Sequence, residues 1–254
     1  MILTSEIMRN IIGNGNAEPY ITHLNTYMGQ FDINTLPRIC FFLAIACGET
    51  GGFRSITENM NYTSADRIRQ VFGASRFQNV NMEDFIRNER ALANKVYGGK
   101  YGNGSTNDDG YIYRGGGIFQ LTFKENYQRF SRSSGIPIEN LTNPNHDDYI
   151  RKPRGAVRSA CHYAKDRRLL EEADKNTPES FIAACRKVGN CPDGDNYKKK
   201  RDYWAKCKAH IGGDGVVEHN TQSSWRNTGI AHLHAFDGLN VYLQAQQQKA
   251  SVVK

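Results

Sequence analysis

Two glutamates, Glu49 and Glu58, flank a Gly51-Gly52 break in the stretch FFLAIACGETGGFRSITENMNY, Phe41 to Tyr62. The residues before Glu49 are apolar and predict a buried helix, so Glu49 sits at the end of a desolvated element. Burial of that kind raises a carboxyl pKa and lets the group hold a proton near neutrality. Glu58 comes later, on a polar segment beyond the glycines, where a carboxylate stays ionised. Two carboxyls in unequal environments across a cleft can protonate a leaving oxygen and activate a water, the chemistry of glycoside hydrolysis. A lone Glu-turn-Glu is more often a cap and a surface acid. The weight here comes from residue blocks further along the chain.

The elements that must position these acids are mostly helical. Thr4 to Ile12 and Pro19 to Gln30 carry apolar residues at helical spacing, the second with Ile21, Leu24, Tyr27 and Met28. Thr35 is a cap, with Pro37 in the first turn, for a third helix that is apolar almost all round and is therefore central. It delivers Glu49. Thr63 with Asp66 resembles a capping box for a helix through Phe72, and Asn81 caps a helix bearing Phe85, Leu92 and Val96 up to Gly98-Gly99. Tyr97 to Gly117, YGGKYGNGSTNDDGYIYRGGG, is too rich in glycine, Asn and Asp to be helical. Its four tyrosines suit stacking on sugar faces, although packing inward is equally open to them. No GxGxxG or GxxxxGK[ST] is present to support a nucleotide site. Ile118 to Thr122 reads as a short strand and Lys124 to Ser134 as a helix, followed by an Asn143-Pro144 turn. Helices open at Pro153 and at Thr177-Pro178. Tyr197 to His210 forms a basic amphipathic helix with Trp204, Cys207 and Ile211 inward and Lys198 to Arg201 outward.

The chain has 254 residues, 39% hydrophobic and 23% charged, which are globular values and long enough for a full core. Its longest apolar run, Ile39 to Cys47, is too short to span a membrane, and no stable membrane insertion is expected. The first residues lack a basic start before an apolar core, so synthesis in the cytoplasm without a signal peptide is expected. A net charge of +7 suits a polyanionic partner: a cell-wall polymer, nucleic acid or a membrane surface. For nucleic acid the single basic-aromatic run, Lys198 to Trp204, is thin support, and no nucleic-acid partner is expected. Six cysteines show no CxxC pairing. Cys40 and Cys47 read as buried small hydrophobes, while Cys185, Cys191 and Cys207 could form one disulfide in an oxidising space. His232 and His234 alternate without a third ligand, so neither a metal nor another cofactor is expected.

Four blocks together resemble glycoside hydrolase family 19, which comprises plant-type chitinases and phage or bacterial cell-wall lysins, and the lysin-like branch most of all. AIACGETGGF is similar to the family's helix-ending acid block, and ENMNYTSADRI to its second-acid block. YIYRGGGIFQLTFKENY is similar to RGRGxxQLTxxxNY, and CRKVGNCPDGDNYKKKRDYW more loosely to the late INGG block. The resemblance implies a mainly α fold, a lysozyme-like two-lobed helical domain with a small β segment under the cleft. The Gly212-Gly213-Asp214-Gly215 run reads as a domain end, which gives a catalytic domain at 1–213 and a C-terminal extension of unknown role at 214–254.

The same resemblance implies Glu49 as general acid, Glu58 as water-activating base and Thr122 as the hydroxyl that positions the water. Gln120, Asn126, Tyr127, Tyr113, Arg114, Asn61, Tyr62 and Asn190 are the implied substrate contacts. The implied reaction is inverting endo-hydrolysis of β-1,4 linkages in an N-acetylglucosamine-containing polymer, by a monomer. Peptidoglycan is the expected substrate, cut by a phage endolysin or a secreted antibacterial effector acting on the wall after holin- or secretion-assisted delivery, and an immunity protein is a possible partner. Chitin is the alternative substrate, and a non-catalytic glycan-binding protein on the same fold the alternative role. Three positions depart from the family pattern. Gly48 stands where a histidine is usual, Gly116 where the second arginine of RGRG is usual, and Gly189 at the INGG asparagine.

Overall fold

The computed structural model describes residues 2–142, 149–189 and 194–212, all within one compact unit, Ile2–Gly213. The 214–254 extension, the Asn143-Pro144 turn, Asn190, Cys191, His232 and His234 lie outside the described residues.

The architecture is helical throughout. Thr4 caps α1 (Ser5–Ile12), accepting from the Ile7 N–H, and a turn of 3₁₀ helix leads into α2 (Ile21–Gln30). Thr35 caps α3 (Leu36–Thr50) with Pro37 in its first turn, as the sequence predicts. Every side chain from Ile39 to Cys47 is buried, so α3 runs through the core. Ahead of the site come α4 (Ala65–Phe72) and α5 (Glu89–Tyr97), followed by the single-turn α6 (Asp109–Ile112). Beyond it lie α7 (Lys124–Ser134), α8 (Ile138–Thr142), α9 (Pro153–Asp166), α10 (Leu169–Lys175), α11 (Pro178–Val188) and α12 (Asp195–Ile211).

Three rings join α3, α11 and α12. Phe181 stacks on Trp204 at 4.7 Å, and Phe41 meets both edge-on at 5.0 and 5.2 Å. Phe119 packs against Phe42 of α3 and Tyr163 of α9, which ties the 115–122 segment to the same core. A second apolar cluster, including Met60, Ile68, Phe77, Phe85, Leu92 and Val96, holds α4 and α5 together.

Several local expectations are revised. The cap of α4 is Ser64 and not Thr63, because the Ser64 hydroxyl is the one that accepts the Arg67 N–H. Asn81 caps only a 3₁₀ turn, Met82–Phe85, and Asn88 starts α5. The loop after α5 holds one helical turn, α6. The expected strand at 118–122 is absent. Among the described residues the β segment consists of two isolated antiparallel bridges, Thr57 with Gly116 and Gly116 with Leu121. Cys207 is a buried free thiol, not part of a disulfide, as are Cys40, Cys47 and Cys161. The largest revision concerns α12. The sequence pattern puts Lys200 in solvent, yet its exposure is 0%.

His162 on α9 is packed edge-on against Phe31 and Phe130. Burial lowers its affinity for a proton, Arg129 and Arg158 add to this, and Asp166 opposes it. The folded state therefore binds fewer protons than the unfolded chain, whose histidine titrates near about 6.5. This contribution to stability is complete above that pH and is lost as pH falls below it. Urea midpoints between pH 7.5 and 5 are expected to fall less for His162→Gln than for wild type, and equal slopes would exclude the histidine.

Candidate active site

The acid at the end of α3 is set by a glycine cap and a buried lysine. Gly51 adopts the left-handed conformation that stops the helix, with its N–H on the Cys47 carbonyl. The Thr50 hydroxyl bonds the Ala46 carbonyl and accepts the Phe53 N–H, which turns the chain sharply away. Glu49 is left at the rim, its side chain 19% exposed, where its Oε1 is in ion-pair contact with the Lys200 ammonium. A helix C-terminus is electronegative, and the ammonium offsets that field at the carboxyl. Tyr163 is close enough to feel the Glu49 charge, and its hydroxyl donates to the Lys187 carbonyl at 2.9 Å.

Glu58 is held differently. The Tyr97 hydroxyl donates to its Oε1, and the Gly115 N–H donates to its Oε2 at 2.9 Å. Burial and the neighbouring Glu58 charge both push the Tyr97 phenol far above its ordinary range, so it remains a donor. The backbone closes the same contact, with Glu58 N–H to the Gly115 carbonyl at 3.1 Å and Gly117 N–H to the Ile56 carbonyl at 2.7 Å.

The RGGG run is what this frame demands. A Cβ on Gly115 would lie 2.5 Å from Gln120 Oε1 and 3.1 Å from Glu58 Oε2, so Gln120 and Glu58 converge on that glycine. A Cβ on Gly116 would meet Arg151 Cγ and Nε at 3.1 Å. Arg151 in turn donates to the Arg114 carbonyl at 2.8 Å, beneath the loop. Thr122 donates to the Gln120 carbonyl at 2.8 Å, which leaves the hydroxyl oxygen to accept, and Asn126 donates to the Thr122 carbonyl at 2.8 Å. Gln120 and Phe123, on either side of this hydroxyl, have positive φ of 48° and 72°, strained values for side-chain-bearing residues.

The irregular loop from 98 to 108 is ordered by its own polar side chains. Asp109 accepts from the Gly104 N–H and from Lys124. Although burial works against its charge, these donors, with Asn107, hold its carboxyl below the usual range. Asn103 donates to the Tyr97 carbonyl and accepts the Lys124 N–H, so the loop is pinned to both α5 and α7.

The sequence-predicted residues fall into groups. Glu58, Gln120, Thr122 and Asn126 are linked through the Gly115–Gly117 turn. Glu49 stands at the α3 end with Lys200. Tyr127 has no exposed surface, and its hydroxyl bonds the Arg114 carbonyl, so it presents no face to a ligand. Tyr113 and Arg114 are also buried, Tyr113 against Tyr127 and Arg114 over the Tyr111 ring. Asn61 is exposed, Tyr62 packs edge-on to Phe72, and Asn190 lies outside the described residues. Of the four loop tyrosines only Tyr101, at 64% exposure, offers an open ring, which rests on Phe123.

Comparison with known proteins agrees with the fold and with the family resemblance. No family model matches the chain. A segment of 99 residues, 39% of this chain and 49% of the relative, is 35% identical to a glycosyl hydrolase family 19 domain-containing protein of Haemophilus influenzae. The resemblance is to glycoside hydrolase family 19. The match spans about half the length of that curated relative. Chitinase C from Streptomyces griseus shares the fold with a TM-score of 0.53 and 17% identity, covering 82% of this chain and 76% of its own. The family 19 motif pattern leaves Lys200, Tyr97 and Arg151 unmarked. Lys200 had a signal nonetheless: it lies four residues before Trp204 on the stripe that continues to Cys207 and Ile211. Tyr97 directly follows the buried face of α5 but falls in the glycine-rich run, where nothing distinguishes it from its neighbours.

Tyr97→Phe keeps the ring contact with Phe123 and removes a donor to Glu58. Hydrogen bonds to charged groups are worth about 1.5–3 kcal/mol, and a loss of that size is expected in urea unfolding. An unchanged midpoint would show that the contact carries no energy.

Proposed function

We propose that the chain is an inverting glycoside hydrolase that cuts β-1,4 linkages in an N-acetylglucosamine-containing polymer, with peptidoglycan as substrate. The observation that carries the reading is that the two acids are held in unequal ways. One is at a helix end against a buried ammonium, and the other is gripped by two donors on the turn that leads to Thr122, whose hydroxyl oxygen is left to accept.

In this mechanism Glu49, the carboxylate against Lys200 in the free protein, takes up a proton from solvent as substrate binds and gives it to the glycosidic oxygen. As the bond to the leaving sugar breaks, the carboxylate that forms is stabilised by the Lys200 ammonium, a charge already in place before the reaction. Glu58 accepts one proton of a water while its other oxygen stays on the Gly115 N–H. The water's second hydrogen points at the Thr122 oxygen, whose own proton is committed to the Gln120 carbonyl. Both hydrogens are thereby directed to acceptors, and the water's lone pair is left for the anomeric carbon. Attack from the face opposite the leaving group inverts that carbon, which requires carboxyls roughly 6.5–9.5 Å apart.

The net charge of +7 supports an anionic wall polymer. Chitin is the second reading, favoured by the shared fold with chitinase C.

Glu49→Gln keeps the shape of the acid and removes its proton. Wild type is expected to release muropeptide fragments from peptidoglycan sacculi, and Glu49→Gln to release at least about a thousandfold less, with ends identified by mass spectrometry. Cleavage of soluble chitin alone would select the second reading. Equal binding of both proteins to sacculi without cleavage would leave a binding module.

A further inference from the structure

We propose that Gly48 and Lys200 work as one positioning unit for Glu49: the bare α-carbon at 48 lets the lysine stem cross the end of α3 and set its ammonium on the acid. The inference rests on the hydrolase reading for the role of Glu49, and on geometry for everything else.

Gly48 is not explained by its backbone. It lies inside α3 with no positive φ, three residues before the glycine that caps the helix. Glycine is among the poorest residues for a helix interior. Its use shows in what a side chain would meet. A Cβ at 48 would lie 2.3 Å from Lys200 Cγ, 3.1 Å from Cε and 3.3 Å from Cδ. The closest of these is near the root of the lysine, so the clash is not relieved by swinging the tip. Either α12 shifts or the ammonium leaves Glu49.

Lys200 is equally specific. It is fully buried on the face of α12 that also carries Trp204, Cys207 and Ile211, where an apolar residue would be expected. Its ammonium contacts Glu49 Oε1. A lysine without solvent is tolerated when an anion meets it, and here that anion is the acid of the site.

The same device recurs on the base side. Gly116 leaves room for the Arg151 stem, whose guanidinium supports the carbonyl of Arg114, next to the glycine that grips Glu58. At both positions the resembled motif carries a larger side chain, and here a cation from a distant part of the chain fills the space. At both glycines the stem of a cation from elsewhere in the chain passes over the bare α-carbon.

The test is a double-mutant cycle on kcat with Gly48→Ala, Lys200→Met and the pair together. Alanine is expected to maintain or raise helix stability in α3, while displacing the lysine. Each single change is expected to lower kcat by about 10- to 100-fold and to alter KM by less than about threefold, and the double variant to be no worse than the poorer single. Wild-type kcat in Gly48→Ala, or losses that multiply in the double variant, would overturn the unit. A separate readout is the side-chain carboxyl ¹³C resonance of Glu49, assigned through Glu49→Gln in protein labelled at glutamate. It is expected to shift in Gly48→Ala in the direction seen for Lys200→Met, and an unmoved resonance in Gly48→Ala would refute the proposal. If wild type cuts no glycan, the hydrolase reading fails first and the resonance alone decides. If Lys200→Met does not fold, Gly48→Ala still decides by both measurements.

Discussion

Lys200 brings a positive charge to a place that water does not reach, and much of the acid half of the site is shaped by the need to answer it. The desolvation of an ammonium costs several kcal/mol unless a well-placed anion and good packing offset it. Glu49 is that anion, and it can meet the lysine only if α12 lies on α3 in one phase. The same phase puts Trp204 on Phe181 and against Phe41, so charge and aromatic packing select one register between them. A slip of one residue along α12 would strand the ammonium and turn the indole out of the core. The acid is therefore held by an inter-helix register, and its orientation is as firm as the packing of the two helices.

The Glu58 half has a different physical character. Glu58 is not carried by a long helix. It is fixed by two directional donors, a short antiparallel bridge and a turn whose glycines permit close approach. The turn is pinned to the core through Phe119 on Phe42, and the loop before it through Asp109 and Asn103. Apolar burial tolerates small displacements, whereas hydrogen bonds weaken steeply with angle and distance. The proposed reaction asks for Glu49 in alignment with a leaving oxygen and Glu58 at a set distance from a water. Building one on helix packing and the other on a polar loop meets these two needs with different materials.

The sequence carried the helices that have strong caps or long apolar faces. Thr35, Pro37 and Gly51 bound α3 because each acts on its neighbours alone, and Lys124 to Gly135 is legible for the same reason. The weaker signals failed where alternatives are close in energy. Ser64 and Thr63 compete for one cap, Asn81 and Asn88 for another, and the apolar 118–122 run forms a turn because Gly116 pairs with Leu121 across it.

For the site, the residue types and order of Glu49, Glu58, Gln120 and Thr122 are sequence properties, since their blocks are contiguous and chemically distinctive. Their surroundings are not. Lys200 lies on an inward stripe that can be counted from Trp204, yet a lysine on such a stripe takes the meaning of a buried charge only when an anion faces it from another helix. Tyr97 and Arg151 likewise acquire their roles from partners 39 and 37 residues away. Local sequence determines helix starts, helix ends and the glycines that allow close approach. What comes to occupy the space beside Gly48 and Gly116 was decided by tertiary packing alone, because it depends on which distant side chain can bring a charge there and have it answered.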